Sequence, residues 1–422
     1  MERDEMILIS VDDHIIEPRN LFDEHLPARW RDRAPRLVYD PERRAEAWAW
    51  EWGQSYQSFI NAVVTLPNEE WGLDPGTQAE IRPGCYDVEQ RIRDMDANGV
   101  LASLCFPSFP GMAGGFFSRC DDRDLALACV RAYNDWHIDQ WCAAAPGRFL
   151  PNPISPIWDG EAAAEEVRRV ARKGATSITF TEDPEAFGLP SIHSGFYDSF
   201  FRACAEEGVI VAIHIGSAVQ GFPGRETEPL HVRYTMPTWN SLPCAANLLW
   251  SHLVRDLPDL KFALSEGGTS WIPGFLDRME RHFHVQRWAG PDLGGRTPTE
   301  VFRDQFLACF ISDPSGLLLR DRVGIDNIAY EVDYPHSDCT FPNSSDELWD
   351  CIVAANCSES DIAKITHENA MRWFRFDPFA HVSRKEATVG ALKARATDVD
   401  LSTRSKADYR ASWEATNGPV GG

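Results

Sequence analysis

Short apolar runs recur along this chain, and several of them end in an acidic residue or a histidine. An apolar run of about four to eight residues bounded by turn residues indicates a buried strand. In parallel α/β barrels the carboxyl ends of the strands meet at one edge, so side chains far apart in sequence converge there. The runs and the residues that end them are 6–11 with Asp12, Asp13 and His14, 209–213 with His214, 261–265 with Glu266, and 328–332 with Asp333. These run ends are the first candidates for a functional site.

From residue 90 onward, strand patterns alternate with helix patterns. Strands joined by helical crossovers predict a parallel sheet, and nearly continuous apolar strands predict that both faces of the sheet are covered. The predicted strands are 100–106, 149–154 and 175–180, and the predicted helices are 91–95, 125–144, 160–173 and 362–374. A (β/α)8 barrel takes about 250 residues before insertions. The 422 residues of this chain therefore fit one elaborated barrel.

Two segments fall outside this alternation. Residues 15–90 are rich in Trp, Pro and Arg. They are far longer than an ordinary loop of about 4–6 residues, so we expect an inserted cap after the first strand. Residues 383–422 are polar and end in Gly-Pro-Val-Gly-Gly, which predicts a C-terminal arm or a frayed tail. The barrel domain would then span residues 1–382.

The predicted cap contains an aromatic stripe. Trp48, Trp50 and Trp52 alternate with Ala49 and Glu51, which at a period of two places three indoles on one face of a strand. Such stripes most often pack as a small core. In the alternative interpretation, the three indoles line the substrate pocket, and Trp50 and Trp52 contact the substrate.

Composition narrows the class of protein. The formal net charge of −23 and the pI of about 4.9 argue against a nucleic-acid partner, because such binding uses clustered Lys and Arg. The 11 cysteines are scattered without C-x-x-C pairs, which indicates reduced thiols rather than a disulfide framework. The N-terminus carries neither a signal-peptide pattern nor a membrane-span pattern. We therefore expect a cytoplasmic enzyme that acts on a small-molecule substrate, without a membrane partner.

Asp12 and His14 are the strongest pair of metal-ligand candidates. They lie two residues apart on the first predicted strand. At a period of two they point to the same side, so they can bind one cation together. The alternative for an acidic residue after a strand is the N-cap of the next helix, which is a common role.

Four motifs follow one another in order along the chain. They are Asp12-Asp13-His14, Leu189-Pro190-Ser191, Ile213-His214-Ile215-Gly216 and Asp333-Tyr334-Pro335-His336. In this order they resemble the amidohydrolase superfamily, in the branch that includes the aminocarboxymuconate-semialdehyde and resorcylate decarboxylases. The resemblance extends from the first strand to about Met371. It implies an α/β fold of the (β/α)8 TIM-barrel type with a metal-dependent active site.

The resemblance also implies roles for individual residues. His214 matches the metal-binding histidine at the end of strand five in these relatives, and Asp333 would complete the site of Asp12 and His14. Glu182 ends strand four, where dinuclear members place a bridging carboxylate. The alternative for Glu182 is a solvated surface residue.

Glu266 and Asp12 depart from the pattern of the relatives. Glu266 ends strand six, where the relatives usually have a histidine that serves as a ligand or a general acid/base, and Asp12 stands where many of them have a histidine. The site therefore has carboxylates in place of imidazoles. Hard oxygen ligands shift the preference from Zn towards Mn and Fe, and carboxylate-bridged pairs of such metals can activate O2. We therefore expect two divalent metals, Fe or Mn with Zn as a further option, and a catalytic or ligand role for Glu266.

This ligand set favours an O2-dependent hydroxylase, a monooxygenase acting on a small organic substrate, and the superfamily has a few such members. One alternative is a redox-neutral hydrolase or decarboxylase with Zn or Mn, in which Asp333 takes the proton. The other alternative is a non-catalytic subunit whose partner chain does the chemistry. Barrel enzymes with long C-terminal arms often dimerise, so we expect a homo-oligomer or a hetero-oligomer with a paralogous subunit.

Further candidates lie close to these motifs in sequence. Glu17 is three residues beyond His14 and would bind a second metal or orient the imidazole. His193, on the loop after strand four, would reach the substrate or the second metal. His336 and Asp338 follow Asp333 and are candidates for acid/base work.

Overall fold

The chain folds into an α/β structure, described over residues 1–218 and 227–420 in a computed structural model. The strands are β1 (Leu8–Ile15), β2 (Arg36–Asp40), β3 (Ala45–Trp50), β4 (Gly53–Tyr56), β5 (Val100–Pro107), β6 (Phe149–Leu150), β7 (Ser177–Phe180), β8 (Ile210–His214), β9 (Phe262–Ser265), β10 (Phe306–Phe310) and β11 (Ile328–Tyr330).

Helices separate most of these strands along the chain. They are α1 (Leu21–His25), α2 (Val88–Asn98), α3 (Arg123–Trp136), α4 (Gly160–Ala171), α5 (Asp198–Glu207), α6 (Leu230–Thr235), α7 (Ser241–Leu249), α8 (Leu253–Asp256), α9 (Ile272–Val285), α10 (Pro298–Gln305), α11 (Pro314–Leu318), α12 (Arg320–Val323), α13 (Ser344–Ala354), α14 (Glu359–Ala363), α15 (Asn369–Trp373), α16 (Val389–Arg395) and α17 (Lys406–Asn417). Within the described ranges, no helix is long and apolar enough to cross a membrane.

Eight of the strands are parallel and form two sheets, β1–β5–β6 and β11–β10–β9–β8–β7. At one junction, the backbone N–H of Asp333, after β11, donates to the carbonyl of Asp12 in β1 at 2.9 Å. At the other junction, the N–H of Thr179 in β7 donates to the carbonyl of Pro153, after β6, at 2.8 Å. Hydrogen bonds therefore join the two parallel sheets on both sides.

The interior between the parallel strands is filled with apolar side chains. Alternate strand residues point inward, as the period of two requires. The inward cluster includes Ile9, Val11, Leu104, Phe106, Leu150, Ile210, Ala212, Ala263, Leu307 and Ala329, while a second and larger cluster contains the side chains that pack against the helices. The polar residues at the carboxyl ends of the strands therefore lie above a closed apolar core.

Several element boundaries differ from the sequence prediction. Strand β1 extends beyond the apolar run 6–11 to Ile15 and includes Asp12 and His14. The predicted strand 149–154 is only Phe149–Leu150 long, because Pro151 and Pro153 have no N–H to donate to a ladder. The predicted helix 362–374 is divided into α14 and α15, with a π-helical turn between them.

The segment between β1 and β5 has its own small sheet. It contains α1 and a three-stranded antiparallel sheet, β2–β3–β4. Trp48 and Trp50 lie on β3, but Trp52 lies in the turn before β4, so the prediction of three indoles on one strand face is wrong. Strand β3 ends at Trp50, and residues 51 and 52 form the turn that leads to β4. The Trp48 ring stacks on Phe109, which follows β5, with ring centroids 4.6 Å apart.

The C-terminal residues are packed rather than frayed. The side chains of Val389 and Leu392 on α16 are fully buried. The N–H of Val389 donates to the carbonyl of Met6, next to β1, at 2.8 Å, and the N–H of Arg404 donates to the carbonyl of Thr65 at 2.9 Å. The frayed-tail interpretation is therefore wrong, because this segment contributes apolar side chains to the core.

We expect Leu392→Ala to lower the free energy of unfolding by about 2–5 kcal/mol, because the leucine is fully buried and its removal leaves a cavity. Urea denaturation of the whole chain measures this change. Leu401→Ala is the control, since this leucine is 37% exposed and its truncation should change stability little. Equal stability of the two variants would show that α16 is not part of the cooperative unit.

Candidate metal centre

Asp12, His14 and His214 converge where β1 and β8 approach each other. The Nε2 atom of His14 lies 3.4 Å from Asp12 Oδ1 and 3.2 Å from His214 Nε2, and His214 Nε2 lies 3.3 Å from Asp12 Oδ2. Donor atoms bound to one cation at about 2.0–2.6 Å lie within a few ångströms of one another, so this spacing suits a shared ion. All three side chains are buried.

A second group of ligand-type side chains adjoins the first. It consists of His14, Glu266, Asp333 and His336, and these two groups are the candidate metal clusters found among residues 1–218 and 227–420. Asp333 Oδ1 lies 3.2 Å from His14 Nε2 and 3.0 Å from His336 Nδ1. Glu266 Oε2 lies 3.6 Å from His214 Nε2, and Glu266 Oε1 lies 3.9 Å from His336 Nδ1. His14 therefore belongs to both groups, and Glu266 of the second group also approaches His214 of the first.

Two carboxylates of this cluster, Asp12 and Asp333, are buried without a hydrogen-bond donor, and only histidine nitrogens lie close to them. Both side-chain oxygens of Asp12 and of Asp333 are buried and accept no hydrogen bond. Burial raises the pKa of each carboxyl well above its usual range, and the charge of Glu266 adds to the effect. Burial lowers the pKa of His14. The neighbouring His336 and His214 lower the pKa of His14 further. Unpaired buried carboxylates are costly unless a cation neutralises them, so the donor set fits a bound divalent metal.

Two of these acids have an unusual backbone conformation. Glu266 has φ of 54° and Asp333 has φ of 63°, both in the left-handed region that favours glycine. Such conformations persist at functional sites when the surrounding structure holds them. Here they turn the side chains back towards β1 at the point where β9 and β11 end.

Arg91 and Asp13 support the ends of β1 and β11 that carry the candidate metal ligands. The Arg91 guanidinium is fully buried, donates to the carbonyls of His14 at 2.5 Å and Gly84 at 2.7 Å, and lies 4.1 Å above the Tyr334 ring. Asp13 Oδ1 accepts from the N–H of Tyr334 at 2.9 Å. Sequence analysis missed both roles. Asp13 lies between Asp12 and His14 in sequence. The period of two along a strand therefore indicates that it faces the opposite side from them.

Glu182 and Glu17, both predicted as ligands, are not in either group. Glu182 Oε1 accepts from the N–H of Gly216 at 3.0 Å, and burial raises the pKa of Glu182 to about 7. The two Glu17 oxygens accept from the N–H groups of Ser108 and Phe109 at 2.9 Å each. The structure therefore makes Glu17 an anchor for the loop after β5.

If Glu17 anchors this loop, Glu17→Gln should lower the free energy of unfolding by about 1–3 kcal/mol, because the amide nitrogen cannot accept from a backbone N–H. The amount of bound divalent metal should stay at the wild-type value. Metal analysis and urea denaturation measure the two effects, with the exposed Glu42→Gln as the control. Loss of metal at unchanged stability would instead make Glu17 a ligand.

The residues predicted to contact the substrate, His193, Trp50 and Trp52, do not line the cavity beside the candidate metal cluster. His193 is exposed, with Nε2 3.3 Å from Asn247 Oδ1. Trp52 Nε1 donates to the Phe116 carbonyl at 3.1 Å, and the Trp50 ring stacks on Phe116 with centroids 5.9 Å apart. Trp48, by contrast, lines this cavity.

That cavity has a volume of about 810 Å³ and reaches the metal cluster at Glu266, Asp333 and His336. Aromatic and aliphatic residues line it in the same number as polar and charged ones. The aromatic side chains that line it are Trp48, Tyr56, Trp71, Phe109, Phe116, Phe187 and Tyr234. Asp338, the other acid/base candidate, also lines it. A concave site that combines aromatic walls with polar groups is typical of a binding site for an organic molecule.

The family model described as amidohydrolase matches residues 46–376, which is most of the chain. The chain belongs to the amidohydrolase family. As a family member with named enzymes among its relatives, it is a metal-dependent enzyme, so the alternative of a non-catalytic subunit is set aside.

Relatives with known names are decarboxylases. This amidohydrolase is 25% identical over 339 residues to a gamma-resorcylate decarboxylase from Rhizobium sp. (strain MTP-10005), covering 75% of this chain and 96% of the relative. The expectation of an O2-dependent monooxygenase with iron is therefore wrong, and the redox-neutral alternative agrees with the relatives. The carboxylates in place of imidazoles misled the prediction, because a donor set that suits Mn does not decide between O2 activation and redox-neutral chemistry.

Solved structures support the fold of this amidohydrolase. An amidohydrolase from Mycobacterium avium subsp. paratuberculosis K-10 has a TM-score of 0.65 at 19% identity and covers 87% of this chain and 99% of its own. A dihydroxybenzoic acid decarboxylase from Polaromonas sp. JS666 has a TM-score of 0.58 at 18% identity, with 90% and 99% coverage. The latter contains bound manganese and the inhibitor 2-nitroresorcinol.

Proposed function

We propose that this amidohydrolase is a metal-dependent decarboxylase of an aromatic carboxylic acid. One observation carries the proposal. The buried carboxylate oxygens of Asp12 and Asp333, which accept no hydrogen bond, adjoin a cavity with aromatic side chains in its walls. A cation there would hold an anionic carboxylate, while the cavity walls would hold a ring. The names of the relatives add support, because gamma-resorcylate is itself an aromatic carboxylate.

We further propose that the centre holds two divalent cations of the Mn²⁺ class. Asp12, His14 and His214 would hold the first, and Glu266 and His336 the second, with Asp333 between them. The support is the presence of two adjoining groups of ligand-type atoms rather than one. Oxygen-rich donor sets of this kind suit Mn²⁺.

The two parallel sheets, in this proposal, form one closed (β/α)8 barrel, and residues 15–90 cap its mouth. The hydrogen bonds at both sheet junctions support closure. Trp48, Tyr56 and Trp71 line the cavity from the cap side. The cap thereby excludes water from the metal end of the cavity, which strengthens electrostatic interactions there.

Decarboxylation requires few catalytic groups from the chain. The bond between the ring carbon and the carboxylate breaks, its electron pair stays on the ring carbon, a proton adds to that carbon, and CO2 leaves. Bound cations would supply electrophilic stabilisation of the negative charge. The aromatic walls would orient the ring, while Asp333 and His336 lie at the end of the cavity next to the cation site, where they can carry the proton.

A substrate screen tests this proposal. Purified protein loaded with Mn²⁺ should convert at least one member of a set of hydroxylated aromatic carboxylates to the decarboxylated arene under argon, as measured by chromatography. Asp333→Asn loaded in the same way is the matched control. Conversion that needs O2, or hydrolysis of an amide or ester analogue without any decarboxylation, would overturn the proposal.

A further inference from the structure

Glu331 is a fully buried carboxylate next to the metal cluster, yet it belongs to neither ligand group. It directly follows β11, and its backbone N–H donates to the carbonyl of Phe310 in β10 at 2.9 Å. The backbone is therefore fixed by the sheet. Its side chain points across to the end of β9, two strands away in the same sheet.

The Glu331 carboxylate is bound to the backbone of Glu266. The N–H of Glu266 donates to both oxygens, at 3.2 Å to Oε1 and 3.1 Å to Oε2. The regular pairing of β9 with β10 ends at Leu264 opposite Ala308, so this N–H lies beyond the ladder between those strands. The Glu331 carboxylate therefore accepts the hydrogen bond from this N–H in place of a backbone carbonyl of a neighbouring strand.

This contact falls where Glu266 leaves the sheet. Glu266 has φ of 54°, a conformation that disfavours residues with a side chain, so an outside contact must hold it. In that conformation the Glu266 carboxylate lies 3.6 Å from His214 Nε2 and 3.9 Å from His336 Nδ1. Released to an extended conformation, it would continue along β9 and away from both histidines.

We propose that Glu331 is a positioning residue that holds the Glu266 backbone in the left-handed conformation and thereby places the Glu266 carboxylate at the metal centre. This inference rests on the metal centre of the proposed function. Glu331 acts through the hydrogen bond that it accepts. Outer contacts that orient a ligand typically change metal affinity by about 10–100-fold when they are lost.

Two substitutions separate the hydrogen bond from the charge. Glu331→Gln keeps an acceptor oxygen at the same reach and removes the charge, whereas Glu331→Asp keeps the charge and withdraws the oxygens by one methylene. Both retain a polar side chain in the buried site, so both should fold. Urea denaturation of the metal-free proteins checks this.

The readout is the binding of Mn²⁺ to the full chain, followed by electron paramagnetic resonance of the free ion. Glu331→Asp should weaken at least one equivalent by about tenfold or more, and Glu331→Gln should stay within about threefold of wild type. In a Glu266→Ala background, Glu331→Asp should cause no further weakening, because the two residues then share one effect.

Wild-type affinity in Glu331→Asp would overturn the inference, as would equal weakening in both variants or a loss in Glu331→Gln alone. A further loss from Glu331→Asp in the Glu266→Ala background would also overturn it. Absence of Mn²⁺ binding by the wild type would refute the metal centre itself. If the wild type binds one ion rather than two, the same comparison on that ion still decides the role of Glu331.

Discussion

His14→Ala is expected to remove bound Mn²⁺ and to lower kcat/KM by about 10³-fold or more, since a Lewis-acid cation contributes several kcal/mol and about 1.4 kcal/mol is a factor of ten. His14 Nε2 lies within 3.4 Å of donor atoms from Asp12, His214 and Asp333, so it is common to both groups. Its loss therefore leaves neither group intact. Metal analysis of the purified variant and steady-state kinetics measure the two effects.

The fold should survive this substitution, because catalytic metals sit on a scaffold that forms without them. We expect the metal-free variant to unfold in one cooperative transition near that of the metal-free wild type. His284→Ala is a suitable control, since that side chain is 65% exposed on α9. Full metal content in His14→Ala would refute the assignment of the centre.

Asp333→Asn should lower kcat/KM by at least about 100-fold and weaken Mn²⁺ binding, because a neutral amide replaces a buried carboxylate that lies next to His14 and His336. The substitution is nearly isosteric. Asn tolerates the left-handed backbone that Asp333 adopts, with φ of 63°, and its N–H can still donate to the Asp12 carbonyl. The effect should therefore be one of charge and not of folding.

Asp326→Asn provides the matched control for this change. Asp326 lies just before β11, at the opposite end of the strand that Asp333 follows, and its carboxylate contacts Lys364 at 2.9 Å. This variant should keep wild-type activity and metal content. If Asp333→Asn keeps them as well, Asp333 has no role in the centre.

The convergence of the metal-centre residues could be predicted from sequence because it depends on simple periodicity. Asp12 and His14 are two apart on a strand, and His214, Glu266 and Asp333 each end an apolar run. Parallel strands bring such ends to one edge of the sheet, whatever the loops do. The structure brings these five side chains together for that reason.

The roles of Glu17 and Glu182 could not be predicted in the same way. Both follow strands and look like ligands in sequence. In the structure both Glu17 oxygens accept from the N–H groups of Ser108 and Phe109, and Glu182 Oε1 accepts from that of Gly216. The paths of those loops depend on tertiary packing. The local sequence does not show which backbone N–H groups of a loop will donate to these carboxylates.

The C-terminal segment shows a second limit of sequence reasoning. Its composition is polar, but a few apolar residues, Val389 and Leu392 among them, are enough to dock α16 against the start of β1. Likewise, Arg91 and Glu331 read as ordinary charged residues of a helix and a strand. Their burial follows from the strands and helices around them, which only the assembled fold defines.

Release of CO2 without O2 tests the central claim most directly. Protein loaded with Mn²⁺ would be incubated under argon with the best aromatic carboxylate of the screen, labelled with ¹³C in the carboxyl group, and headspace ¹³CO2 would be followed by mass spectrometry. The account predicts one ¹³CO2 for each arene formed, at the same rate in air and under argon, and none from His14→Ala. Turnover that stops under argon, or substrate consumption without labelled CO2, would contradict it.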